Sequence, residues 1–164
     1  MSTSANTLSP VLYLSHGGGP LPLLGDAGHQ NLINFFRDIT PTLGKPSAIL
    51  VISAHWEAST ATITSGETPS LIYDYYGFPK QAYDIQYPAP GSPTLAYQIF
   101  TLLKTAGITA TLDAQRGFDH GLFVPLKIMY PAANIPCVQL SLVNNLRPEA
   151  HIQMGRALAA LRHA

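Results

Sequence analysis

An α/β fold is predicted for this chain: a three-layer sandwich whose central, mostly parallel sheet is flanked by helices, incomplete at its C-terminal end. Three observations predict it. Short β-branched apolar runs (Val11–Ser15, Ala48–Ala54, Pro136–Val143) alternate with segments of helical period. Ala48–Ala54 is almost wholly Ile, Val, Leu and Ala, the pattern of a strand buried on both faces. Two of the runs lead straight into histidines, His16 and His55, and the carboxyl edge of such strands is where open α/β sheets gather ligands.

The elements follow in order. Residues 1–10 are expected to be a flexible leader, and 11–164 a single α/β catalytic domain. Val11–Ser15 is the first strand. A helix over His29–Ile39 places Leu32, Ile33, Phe36 and Ile39 on one face, and Pro41, Gly44 and Pro46 break it. Ala48–Ala54 is the second strand, and Thr60–Thr64 a third, at a sheet edge. Residues Glu67–Pro93 interleave six aromatics with prolines and glycines and show no period, as in a long ordered loop. Ser92 and Pro93 are an N-cap and first-position proline for a helix running to Gly107, with Leu95, Ile99, Leu102, Leu103 and Ala106 as its buried stripe. Ile108–Leu112 is a strand, Gly121–Tyr130 a short apolar helix, and Pro136–Val143 a buried strand. Pro148–Arg162 is the last helix, with Ile152, Gly155, Leu158 and Leu161 facing in. The chain stops in that helix with no closing strand, so it is expected to be the N-terminal part of a longer protein.

Composition narrows the functional classes. Charged residues are only 11% of the chain, against about 25% in ordinary domains, which suggests that a partner subunit or more chain covers part of the surface. A homo-oligomer is therefore an expectation. Nine basic residues balance nine acidic ones, and no basic stripe favours nucleic acid or an anionic membrane. No apolar run approaches the roughly 20 residues of a membrane span, and residues 1–10 lack the pattern of a secretory signal. The single cysteine, Cys137, has no internal partner, which fits a cytoplasmic setting.

Chemistry concentrates in three of the six histidines. His16 is followed by three glycines, which permit a sharp turn and close ligand approach. Its neighbourhood resembles an oxyanion-hole motif too, but the Gly-x-Ser-x-Gly nucleophile that would accompany one is absent. His55 precedes Trp56 at the end of the most apolar strand. Two strand-end imidazoles favour metal ligation at His16 and His55, from tertiary folding and not from a local helix motif. His120 begins a helix, where the dipole disfavours its protonated form, and a catalytic acid/base role suits it better than third ligand. Asp119 either orients the His120 ring or serves as the helix N-cap. His29, His151 and His163 lack special surroundings and are read as solvent-facing or merely packed.

Taken in order, Leu-Ser-His-Gly-Gly, Val-Ile-Ser-Ala-His-Trp-Glu, Tyr-Asp-Tyr-Tyr-Gly-Phe-Pro, Tyr-Pro-Ala-Pro-Gly, Gly-Phe-Asp-His-Gly and Ile-Pro-Cys-Val-Gln-Leu-Ser resemble the class III extradiol ring-cleavage dioxygenases, in their DOPA-dioxygenase-like branch. The resemblance runs from about Val11 to the last helix. It implies a non-haem metal, Fe(2+) when active and often Zn(2+) as isolated, with His16 and His55 as ligands and His120 moving protons. It implies a reaction in which dioxygen opens a catechol such as DOPA. It places the aromatic loop at the pocket mouth, with Tyr76 and Phe78 as substrate contacts. Family members continue into further ligand segments, so this chain alone is expected to bind metal weakly and to show little or no dioxygenase activity. A zinc-dependent hydrolase and a non-catalytic binding protein on the same scaffold are the competing functions. Lys80 and Arg116 are candidates for a substrate carboxylate only by their proximity to the motifs, and such residues are more often solvated surface charges.

Overall fold

A computed structural model describes residues 8–163. Most of the expected leader, residues 1–7, lies outside the described residues. The elements are α1 (Gln30–Leu43), β1 (Ile49–Ala58), β2 (Ala61–Thr64), α2 (Pro93–Thr105), β3 (Ala110–Asp113), α3 (His120–Met129), β4 (Cys137–Val143) and α4 (Pro148–Leu158). Short 3-10 turns cover Leu21–Leu23, Ala27–His29, Lys80–Ala82 and Ala159–His163. The sheet order is β1-β4-β2-β3. β1 pairs with β4 and β2 with β3 in parallel, and the β2–β4 contact is antiparallel through Ile63 and Leu140. The sheet is thus mostly parallel, with helices on both faces.

The alternation of β4 divides the core. Val138 and Leu140 join Ala61, Ile63, Ala96, Ile99, Leu103, Met154 and Leu158 beneath α2 and α4. Cys137 joins Tyr87, Phe118, Leu122, Phe123 and Val124 on the opposite face, beneath α3 and the aromatic loop. The α2 helix begins as its residues dictate: the Ser92 hydroxyl accepts the Leu95 N–H at 3.2 Å, with Pro93 at the first helical position. Its stripe is Ala96, Ile99 and Leu103, flanked by half-buried Leu95 and Leu102, while Ala106 is exposed because the helix ends at Thr105. In α4 the inward residues are Met154 and Leu158, one turn apart; Ile152 and Gly155, expected inside, are exposed. Leu161 is half-buried as the chain tightens into its 3-10 end.

Four further expectations are corrected. Val11–Ser15 is not a strand: it has no ladder partner among the described residues, and Val11 and Tyr13 stand in solvent. Just before it, the Ser9 N–H donates to the Arg162 carbonyl at 2.8 Å and the Ser9 carbonyl accepts from the Arg162 Nε–H at 2.8 Å. β1 is an edge strand, so Ile52 is 53% exposed and the strand is not buried on both faces. β2, expected at an edge, is interior between β4 and β3. Pro41 lies inside α1, not beyond it; the helix runs on to Leu43 and ends at Gly44, whose φ of +71° only glycine adopts readily.

Candidate metal centre

His55 owes its placement to a break in the β1 ladder. Ser53 pairs with Ser141 and Glu57 with Leu142, so Ala54, His55 and Trp56 bulge out between adjacent rungs. Bulges re-aim side chains and gather beside active sites. The strand therefore does not stop before His55, as its apolar run suggests, but carries the imidazole in an interruption. The bulge is held from both sides. The Ser53 hydroxyl accepts the His55 N–H at 3.2 Å and donates to Asp119 at 2.8 Å, and the Arg116 guanidinium lies 4.2 Å over the Trp56 ring.

His16 arrives from the glycine segment and His120 from the first residue of α3. The ligand atoms of His16, His55 and His120 lie within 4.8 Å of one another. His16 and His55 share a hydrogen bond between their Nε2 atoms at 2.7 Å, and the His55 and His120 ring centroids are 4.0 Å apart. Gly121 admits this crowding: a Cβ there would lie 2.6 Å from the Ser53 hydroxyl and 3.1 Å from His55 Cδ2. The side chains range from exposed at His55 to buried at His120.

Burial, then repulsion from the His120 and His55 rings when they are charged, pushes His16 down to about 4. Its imidazole is therefore neutral near neutral pH, the form that ligates metals. Its Nδ1 is buried without a hydrogen-bond partner. A cluster of imidazoles with an orphaned ring nitrogen on His16 fits a divalent transition metal, and imidazole suits iron and zinc alike.

The carboxylate that touches the His120 ring is Asp74, which sequence reasoning did not single out. It accepts the His120 Nδ1–H at 2.7 Å and the His120 backbone N–H at 3.0 Å. Burial alone would raise the Asp74 carboxyl, but these bonds outweigh it and hold the group below its ordinary value. With Nδ1 protonated toward Asp74, Nε2 is the nitrogen left with a free lone pair. No sequence signal links positions 74 and 120, because the contact spans the aromatic loop. Asp119 does not touch the His120 ring. It caps α3 by accepting the Gly121 N–H at 3.0 Å, and it is fully buried against Ser53, the Gln139 amide and Arg116, the last at 3.4 Å.

The aromatic loop packs on itself beside the histidines. Tyr75 lies 5.6 Å from the His120 ring and 5.4 Å from Phe78, and its hydroxyl donates to the Ala82 carbonyl at 2.6 Å. Burial, then its tyrosine neighbours, pushes Tyr75 up to about 12, so it stays a neutral phenol. Phe78 sits against Gly19, where a Cβ would lie 3.3 Å from its ring. Tyr76, expected as a substrate contact, is 92% exposed; the aromatic facing His120 is Tyr75. Lys80 is exposed, whereas Arg116 is half-buried and engaged as described. Burial pushes the Cys137 thiol up to about 12, which makes it an inert core group. Neither His29 nor His151 is idle: each accepts a backbone N–H through Nε2, from Gly18 at 3.0 Å and from Val143 at 3.1 Å.

Three convergent imidazoles at one corner of a mostly parallel sheet define the class: an α/β protein with a three-histidine cluster able to hold a metal ion. The chain belongs to the family of the catalytic LigB subunit of aromatic ring-opening dioxygenases, which it matches over residues 10–164. It is 46% identical over 160 residues to the 4,5-DOPA dioxygenase extradiol of Escherichia coli (strain K12), covering 96% of this chain and 56% of that protein. It is 45% identical over 163 residues to dioxygenase tasH of Hapsidospora irregularis, covering 94% and 50%. It is 40% identical over 153 residues to the 4,5-DOPA dioxygenase extradiol of Portulaca grandiflora, covering 92% and 55%. A crystal structure of an uncharacterized protein from Escherichia coli K12 superposes with a TM-score of 0.64 at 43% identity, over 79% of this chain and 48% of that one. The chain thus spans about half the length of the curated relatives it matches.

Proposed function

We propose that this chain acts in extradiol cleavage of a catechol ring by dioxygen, with a DOPA-like substrate, in the cytoplasm. His16 and His55 are the metal ligands, and His120 is the proton carrier. The observation that carries this reading is the meeting of His16, His55 and the Asp74-bound His120 in one cluster, in a chain of this family.

A ferrous ion held by His16 and His55 would supply the Lewis acidity and redox chemistry that activate a catechol and dioxygen. Everything else falls to the residues. Neutral His16 supplies a lone pair without first losing a proton. Asp74 fixes the His120 tautomer, so that Nε2 takes a proton from a catechol hydroxyl and returns it later in the cycle. The Asp74 carboxylate stabilises the imidazolium formed between those events. Tyr75 and Phe78 offer an apolar wall on which a flat ring can rest. The Arg116 guanidinium lies over the Trp56 ring and reaches Asp119 at 3.4 Å.

The test is anaerobic loading with ferrous iron followed by DOPA and oxygen. Catechol-dependent oxygen uptake with a yellow ring-opened product is expected, at a rate below that of the longer relatives and lost in His16→Ala. Iron-loaded protein that takes up no oxygen with any catechol, even when joined to the C-terminal half that its relatives carry, contradicts the reading.

A further inference from the structure

His16 is oriented without help from its own second nitrogen. A metal-ligating histidine ordinarily donates its other ring N–H to a carboxylate, carbonyl or water, and that bond fixes the ring. His16 Nδ1 is buried with no partner. Three glycines follow it, and glycine is the residue with the most backbone freedom to lose. Something must therefore hold this turn if His16 is to meet His55.

The Asp26–His29 pair does so. Asp26 Oδ2 lies 2.6 Å from His29 Nδ1, and an ionised carboxylate only accepts, so Nδ1 carries the hydrogen. In the neutral ring Nε2 is then an acceptor, and it takes the Gly18 N–H at 3.0 Å. The same ring fills the space above Gly17, where a Cβ would lie 2.5 Å from His29 Cδ2 and 2.8 Å from Nε2. Gly17 has φ of +79°, so both its conformation and this contact require glycine. His29 ends the 3-10 turn Ala27–His29 and is the N-cap residue of α1, so one end of the clamp is anchored in a helix. The side chain is four-fifths buried, with 20% of its surface accessible.

We propose that His29, aligned by Asp26, is a positioning residue that clamps the Gly17–Gly18 turn and thereby aims His16 into the three-histidine cluster. The inference rests on the reading of His16 as a metal ligand. It assigns His29 no contact with substrate or metal.

The experiment compares His29→Ala, His29→Gln and His16→Ala by two readouts: amide hydrogen exchange at Gly18 in the metal-free protein, and zinc affinity by chelator competition. Glutamine carries an amide oxygen near where Nε2 sits, and so restores the acceptor without the ring. The expected result is Gly18 protection in the wild type and in His29→Gln but not in His29→Ala. Zinc affinity falls about 10–100-fold in His29→Ala and is largely recovered in His29→Gln. Gly18 still protected in His29→Ala overturns the clamp. So does zinc affinity that falls equally in both His29 variants. Zinc affinity unchanged in His16→Ala overturns the metal reading itself, whereas weakened His16→Ala beside unaffected His29→Ala overturns the clamp alone.

Discussion

The core beneath α2 and α4 and the histidine corner on β1 are built by different means. Beneath α2 and α4, nine buried apolar residues interdigitate without a polar group among them. At the corner the buried groups are polar: Ser53, Asp119 and Gln139 are joined by hydrogen bonds between β1, the start of α3 and β4, and His120 is bonded to Asp74. The first region is stabilised by area removed from water, which is non-directional and tolerant of detail. The second depends on complete pairing, because a buried polar group that loses one partner keeps its desolvation cost. Stability should therefore reside mainly in the first and geometry in the second.

Leu103→Ala sets the scale for the apolar side. Leu103 is fully buried in α2, and its truncation should lower unfolding free energy by about 3 kcal/mol in urea titration, with zinc affinity of the folded protein unchanged. A parallel loss of affinity would show that the two regions are not separate. Asp119→Ala should cost about 2–3 kcal/mol by stranding the Gln139 amide and the α3 cap, and unlike Leu103→Ala it should weaken metal binding, since Asp119 holds Ser53 and Ser53 holds the His55 N–H.

Asp74→Asn keeps an acceptor for His120 but removes the charge. Ring-opening turnover should fall about 10–100-fold while zinc affinity and melting temperature stay near wild type. Equal loss of affinity would make His120 a ligand and not a proton carrier. A smaller effect concerns acid. Because His16 is pushed from 6.5 to about 4 in the folded chain, the unfolded chain binds a proton that the native one refuses between those values. Stability of the metal-free protein should thus fall as pH drops from about 6.5 to about 4, and His16→Ala should flatten that slope. Smallest of all, Tyr76→Ala should change stability by less than about 0.5 kcal/mol, as befits a side chain that stands in solvent.

What the chain discloses by pattern follows the same division. The apolar region is written in periodicity and capping: α2 starts at its serine and proline, and β4 alternates between the two cores. His16, His55 and His120 were legible because glycine and aromatic neighbours set them apart, and the fold brings all three together. The contacts that orient them were not. Asp74 reaches His120 across 46 residues, and His29 reaches Gly18 across 11, with no local spacing to mark either pair. The β1 bulge hides inside a continuous apolar run, since a ladder shift depends on the register of β4 and not on β1 alone. Val11–Ser15 has a strand's composition, but a strand needs an edge to pair with, and this segment has none among the described residues.

The most direct test is an anaerobic cobalt(II) or zinc(II) titration of the wild type beside His16→Ala, His55→Ala and His120→Ala. Affinity should fall about 10-fold or more in the first two variants and stay near wild type in His120→Ala, which loses turnover instead. Undiminished affinity in His16→Ala or His55→Ala would contradict the assignment of the corner as a metal site.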